Sequence, residues 1–325
     1  MTNPAVKKRI LACLEGIATG DAVGKQTEGL AREGVARWYP EGVRGFEGSP
    51  GSVIPRYAGH HRHAWRIGET TDDTERTIAV ARAILEDGEV RHASVGRELL
   101  TCSKCVHPGV RSLWEFHQAG DATRVTTQHD GCGAAIRVAP VGVLHSSGRL
   151  DEIVNSAKEA SIPTHGGPFA LAAAAAAAAA VSAAIDGAEP REIIELAERA
   201  ATQAECERTG STDAVFARAM HALYADLSQQ SDLDAAEIAS KYFPDNPLTI
   251  VPLAIALASI LQSAERAILL AANIGGDSDS VASIAGSILG ARCPDTVNEE
   301  WFAVVEMIND HGLIALGEEL SKMRR

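Results

Sequence analysis

A chain of 325 residues is long enough for one large domain with a substantial core. Its 46% hydrophobic content, with only 4% aromatic residues and much alanine, favours closely packed helices over a β-sandwich. The formal net charge of −13 excludes the basic footprint of a nucleic-acid binder, and any anionic ligand must be met by local cations or backbone N–H groups.

In chain order, Ile10, Leu11, Leu14, Ile17 and Ala18 recur at helical spacing and predict a helix over 5–20 that ends at Gly20-Asp21-Ala22-Val23-Gly24. Lys7-Lys8-Arg9 precedes apolar residues, but Glu15 interrupts them, so no targeting segment is read. A cytoplasmic protein is expected, with its six cysteines as reduced thiols. Cys102-Ser-Lys-Cys105 with His107 is a lone CxxC and weak evidence of metal or redox chemistry. Residues 38–70 hold Pro40, Pro50, Pro55, many glycines and the polar run His60-His61-Arg62-His63. A loop of that length in a compact domain is usually functional, and here it is read as an active-site loop to which Arg56, Arg62 and Arg66 add positive charge.

Helical patterns then follow at 74–86, 92–102, 108–119, 133–145, 150–160, 168–186, 190–205, 212–228, 234–241, 248–260, 263–272, 279–291 and 298–322. Period-2 strands are absent from the pattern, and no Ser-, Pro- or Gly-rich linker divides the chain. The apolar stretch 169–185 is mostly alanine and shorter than a spanning helix wants, so it reads as a buried core helix and not a membrane segment. The expected fold is all-α, a single compact multi-helix domain over 1–325.

Two acidic runs carry the chemistry. Thr70, Thr71, Asp72, Asp73 and Thr74 open one helical pattern, and Gly275-Gly276-Asp277-Ser278-Asp279-Ser280 opens another. A helix N-cap with acidic first-turn residues is worth about 1 kcal/mol and accounts for one aspartate in each run. Paired carboxylates among hydroxyls at two helix starts also suit a hard cation such as Mg²⁺, Mn²⁺ or Ca²⁺. Residue types alone leave both readings open.

Five motifs in order resemble the ADP-ribosylglycohydrolase family, which includes the dinitrogenase-reductase-activating glycohydrolases and the ADP-ribosyl-acceptor hydrolases. They are Gly20–Gly24 with Glu28, Thr71-Asp72-Asp73-Thr74, Gly131-Cys132-Gly133-Ala134-Ala135-Ile136-Arg137, Thr164-His165-Gly166-Gly167-Pro168-Phe169-Ala170, and Gly275–Ser280. The resemblance implies an all-α fold with a binuclear centre of two Mg²⁺ or Mn²⁺. It assigns the metal ligands to Thr71, Asp72, Asp73, Asp277, Asp279 and Ser280, with Asp279 as a bridging and catalytic carboxylate. Glu28 falls where the family has an acidic residue near the scissile bond. The backbone of Gly131, Cys132, Gly133 and Ala134 would hold a diphosphate, and His165 would line the ADP-ribose site. Ser280 stands where threonine is usual, Cys132 replaces asparagine and Ile136 replaces methionine.

The function implied is metal-dependent hydrolysis of the ribosyl C1″ glycosidic bond of ADP-ribosylated protein side chains, arginine or similar, releasing ADP-ribose. The expected partner is an ADP-ribosylated protein or an ADP-ribose-like small molecule. Two alternatives remain on the same scaffold: an N-glycosidase for a small nucleoside or nucleotide-like metabolite, and a non-catalytic crystallin-like binding protein. The intact Asp72, Asp73, Asp277 and Asp279 count against the last.

Overall fold

Helix α1 runs from Pro4 to Gly24, capped by the Asn3 side chain on the Ala5 N–H at 2.9 Å. The structure, a computed structural model, describes residues 3–60 and 62–325. The expected stop at Gly20 is overturned, because the helix continues through the whole Gly20–Gly24 motif. The physical reason is a distant partner, helix α14 (Ser278–Arg292). A Cβ on Gly16 would fall 2.1 Å from the Gly286 carbonyl oxygen, one on Gly20 2.3 Å from that of Ala282, and one on Gly24 2.5 Å from the Asp279 Cα. Gly290 returns the contact, since its Cβ would lie 2.1 Å from the Ala12 carbonyl oxygen. The glycines therefore form a packing face on which two backbones touch, and the small residues at the contact set how closely the helices approach.

A short helix that the periodicity did not suggest, α2 (Arg32–Trp38), precedes the long loop. From 39 to 71 the described residues form a 3₁₀ turn at Pro55–Tyr57 and an isolated antiparallel bridge between Val53 and Arg66. The loop carries its own apolar cluster of Ile54, Tyr57, Trp65 and Ile67. Gln26, just past α1, ties it down: its amide donates to the Gly45 carbonyl at 2.8 Å and accepts from the Glu47 N–H at 2.9 Å. His61, part of the polar run, lies outside the described residues.

Then come α3 (Asp72–Asp87), α4 (His92–Leu99) and α5 (Arg111–Ala119). The single helix expected over 133–145 is two elements, a 3₁₀ segment at Cys132–Arg137 and α6 (Ala139–Leu144). The join falls at Val138, just before Pro140 in the first turn of α6, where proline's missing N–H does no harm. After α7 (Leu150–Ser161), helix α8 (Pro168–Asp186) runs through the middle of the molecule with every residue from 170 to 185 buried. It is long and apolar enough to cross a membrane, yet 89% of its apolar window is buried inside the protein.

Around it lie α9 (Pro190–Thr209), α10 (Val215–Leu227), α11 (Ala235–Tyr242), α12 (Pro247–Ile260) and α13 (Ala264–Ile274), followed by α14. The expected helix over 298–322 is broken into α15 (Glu299–Asn309) and α16 (Leu313–Ser321). Asp310 at φ 51° and Gly312 at φ 66° turn the chain between them, a left-handed conformation that ends helices. Among the described residues the architecture is all-α, with one main core formed chiefly by alanine, valine, isoleucine and leucine.

Candidate active site

The N-termini of α3 and α14 meet beside the C-terminal end of α1, and polar clamps hold them there. Asp21, fully buried, accepts the Thr71 N–H at 2.9–3.0 Å, the Thr74 N–H at 3.1 Å and the Thr74 hydroxyl at 2.5 Å. The Ser278 hydroxyl donates to the Gly24 carbonyl at 2.9 Å and stands 3.0 Å from the Thr27 hydroxyl. Both acidic runs are thereby brought to one cavity of about 1080 Å³ lined by Asp72, Asp73, Asp277, Asp279, Ser280 and Glu28.

Capping does not account for these acids. The hydroxyl of Thr71 caps α3, accepting the Asp73 N–H at 3.2 Å. Asp277, at the N-cap position of α14, makes no side-chain capping bond, and Asp279 accepts from its neighbour Ser280 N–H at 3.2 Å and shares a hydrogen bond with Asp277. Asp73 is 3% exposed, and its Oδ2 is a buried oxygen with no hydrogen-bond partner among the described residues. Burial, then the charges of Asp21, Asp72 and Asp277, raise its pKa well above the carboxylate range. Burial and the nearby Glu28 do the same to Asp279, and burial raises Asp277. Buried like charges this close demand compensation.

Part of it is built in. Lys25, 3% exposed, contacts Glu28, lies 3.7 Å from Asp279 Oδ2 and stands over the Trp65 ring at 4.4 Å. Burial opposes its charge, but Asp279 and Glu28 outweigh that and hold its pKa above the usual value. Arg76, 2% exposed, pairs with Asp72 one turn earlier on α3. Burial would raise Asp72, but the Arg76 guanidinium prevails and lowers it. The remaining donor set is carboxylate and hydroxyl oxygen with one orphaned buried Asp73 oxygen, which fits a hard cation. Among the described residues, however, no three His, Cys, Asp or Glu side chains are drawn together as a preassembled cage.

Two of the expected residues are not at the cavity surface. Thr71 is fully buried and engaged as a cap, with its N–H on Asp21. Ala134 is fully buried and packs into the main core, because the 3₁₀ turn points it inward. Gly131, Cys132 and Gly133 do line the cavity, and so does His165. His165 lies directly behind the glycine segment, where a Cβ on Gly133 would come within 2.7 Å of its ring. Its two nitrogens face Thr164 Oγ1 at 2.8 Å and Ser112 Oγ at 3.2 Å. Burial, then Arg137 and Arg76, hold its pKa well below the usual value, so it supports the wall as a neutral ring. Arg137, fully buried, ties the Gly133 carbonyl to those of Ala160 and Ser161 and to Thr164.

Several cavity contacts were not foreseen. The Cys132 thiol donates to Asp277 Oδ2 at 3.2 Å. Asp130 accepts the Phe169 and Ala170 N–H groups at 2.8 and 3.2 Å, capping α8 from across the cavity wall. Lys25 and Arg76 carried the only available signals: a lysine directly after Gly24, and an arginine four residues after Asp72, the spacing that pairs side chains on a helix.

The sequence model of the ADP-ribosylglycohydrolase family matches residues 2–325. An uncharacterized protein of Archaeoglobus fulgidus is 30% identical over 293 residues, 88% of each chain, and the uncharacterized protein YegU of Escherichia coli is 29% identical over 301 residues, 87% of each. The ADP-ribosyl-[dinitrogen reductase] glycohydrolase of Rhodospirillum rubrum is 28% identical over 149 residues, 44% of this chain and 47% of its own. A solved structure described as an ADP-ribosylglycohydrolase-related protein complex shares the fold, with a TM-score of 0.74 at 22% identity over 99% of this chain and 100% of that one. With a family match over nearly its full length and an all-helical fold that converges two acidic helix starts on one cavity, the chain belongs to the ADP-ribosylglycohydrolase family and is a hydrolase of glycosyl bonds.

Proposed function

We propose that the protein cleaves the C1″ glycosidic bond between ribose and a protein side chain, arginine or similar, and releases ADP-ribose. The observation that carries this reading is the convergence of Asp72 and Asp73 with Asp277 and Asp279 beside the glycine segment 131–133. The cavity, about 1080 Å³, is slightly larger than the usual ligand site, which favours a ligand larger than a nucleoside. Arg62 and Arg111 line the same cavity and supply local cations for an anionic ligand on an otherwise acidic chain.

Asp73, Asp277 and Asp279, with the Ser280 hydroxyl, are the groups that would hold Mg²⁺ or Mn²⁺. A divalent cation there supplies positive charge that orients ribose hydroxyls and makes a water a better nucleophile. Glu28 receives the proton of the attacking water at its carboxylate, whose Oε2 is oriented by Lys25 and by the Tyr57 hydroxyl at 3.4 Å. Its negative charge also favours the oxocarbenium-like sugar at the transition state. Backbone N–H groups of the 131–133 segment face the phosphates, kept in place by His165 and Arg137.

The test is product release from arginine-ADP-ribosylated protein, compared with a panel of nucleosides and nucleotides, with Mg²⁺ or Mn²⁺ and with chelator. The reading expects cation-dependent release of ADP-ribose from the protein substrate. Turnover of nucleosides alone would transfer the site to the small-molecule alternative.

A further inference from the structure

We propose that this chain holds a single divalent cation, at Asp73, Asp277 and Asp279, because Arg76 takes the place beside Asp72 that a second cation would need. The inference rests on the cation-dependent reading of the site and departs from the binuclear centre that the sequence resemblance implies.

Asp72 is paired with the Arg76 guanidinium on the same face of α3, and the Cys105 thiol also hydrogen-bonds it. Arg76 is 2% exposed and lies under the glycine segment, with its Nη1 3.4 Å from where a Gly133 Cβ would stand. A guanidinium this enclosed cannot swing into solvent, and it cannot be deprotonated to make room for a metal ion. Asp73 is in the opposite condition. Asp73 lines the same cavity, and its Oδ2 is buried with no hydrogen-bond partner among the described residues. On the α14 side, the Asp277 carboxylate meets Asp279, the Cys132 thiol at 3.2 Å and Ser280, none of them a fixed cation, and Asp279 has Lys25 no nearer than 3.7 Å.

The charge balance points the same way. Besides Glu28 and the four aspartates, Glu69 and Asp130 line the cavity, seven carboxylates in all; Arg62, Lys104 and Arg111 join Lys25 and Arg76, five cations in all. Two negative charges remain when all are ionised. One divalent cation leaves the cavity neutral. Two would leave it positive before substrate arrives, with one of them next to a fixed guanidinium. The substrate consequence is a site with a positive organic group, Arg76, where a second metal would otherwise stand.

The experiment reads stoichiometry, not turnover. The full chain, stripped with chelator, is titrated with Mn²⁺ by calorimetry, and the saturated sample is examined by low-temperature electron paramagnetic resonance. One equivalent and a mononuclear six-line signal are expected. Arg76→Met, which keeps the length and removes the charge, should bind a second equivalent and give an exchange-coupled signal, whereas Arg76→Lys should stay at one. Circular dichroism checks that each variant is folded. If Arg76→Met does not fold, the wild-type and Arg76→Lys stoichiometries decide the matter. Two equivalents with a coupled signal in the wild type would overturn the inference and leave the proposed function standing. A folded Arg76→Met that still binds one would overturn the role given to Arg76. No Mn²⁺ binding at all would sink both this inference and the cation-dependent function.

Discussion

Gly24→Ala tests whether the α1–α14 contact creates the site. The added methyl would stand 2.5 Å from the Asp279 Cα and 2.5 Å from the Ser278 carbonyl oxygen, where ordinary contact begins near 3.4 Å. Both obstacles are backbone, so no side chain can move aside, and the helix pair must open by roughly 1 Å. Overpacking of this kind costs about 1–3 kcal/mol, and a backbone obstacle belongs at the upper end. For a chain of this size that is a fall in Tm of roughly 2–4 °C. The shift also carries Asp279 away from Asp73, so Mn²⁺ affinity should weaken and turnover should drop about 10²-fold, the effect of an ångström of misplacement. Gly148→Ala is the control: the residue is exposed, and a Cβ there meets nothing within 4 Å. Its stability should change by less than about 0.5 kcal/mol. Thermal melts and Mn²⁺ calorimetry on both variants are the assay. A Gly24→Ala protein that melts and binds Mn²⁺ like Gly148→Ala would refute the claim that this packing brings the two acidic runs together.

Further outcomes follow from the same geometry. Glu28→Gln should lower single-turnover hydrolysis by about 10²–10⁴ with Mn²⁺ affinity nearly unchanged; normal turnover would remove Glu28 from the chemistry. Asp279→Asn should lose metal affinity and turnover together, and retention of either would separate Asp279 from the cation. Cys132 faces the cavity, yet burial and Asp277 push its thiol pKa well above the usual value, so thiol labelling of the metal-free protein at pH 8 should find it slow. Rapid labelling would mean that the Cys132–Asp277 contact is not kept. His145 is buried, and burial followed by the charge of Arg325 pushes its pKa down to about 4. The unfolded chain takes up a proton near pH 6.5 that the folded chain refuses until about pH 4. The stability held by neutral His145 is therefore present above pH 6.5 and lost as pH falls through that window. Urea unfolding at pH 7 and pH 4.5 should show a smaller acid loss in His145→Gln, and an equal loss would remove His145 from the acid limb.

Local periodicity made most helices legible, because each buries one face or, in α8, every face from residue 170 to 185. It failed where the decisive contact is distant. Gly20 and Gly24 look like a helix stop, and only the presence of Gly286, Ala282 and Asp279 across α14 turns them into a packing face. The breaks at Val138 and at Asp310–Gly312 depend on one proline and two left-handed residues, signals that an apolar pattern overrides. The acidic runs were legible as chemistry because capping could explain only half their aspartates. What the pattern did not disclose was the internal counter-charge: Arg76 sits at pairing distance from Asp72, but nothing local says that the pair is buried. Thr71 and Ala134 belong to the right motifs yet face inward, since a motif names a segment and not the direction of each side chain.

The most direct test of the account is anomalous diffraction from crystals of the Mn²⁺-loaded protein. The account predicts anomalous density in the cavity bounded by carboxylates from both helix starts, with Asp73 from α3 and Asp277 or Asp279 from α14 at coordination distance of about 2.0–2.6 Å. Density touching only one of the two acidic runs, or lying outside this cavity, would contradict it.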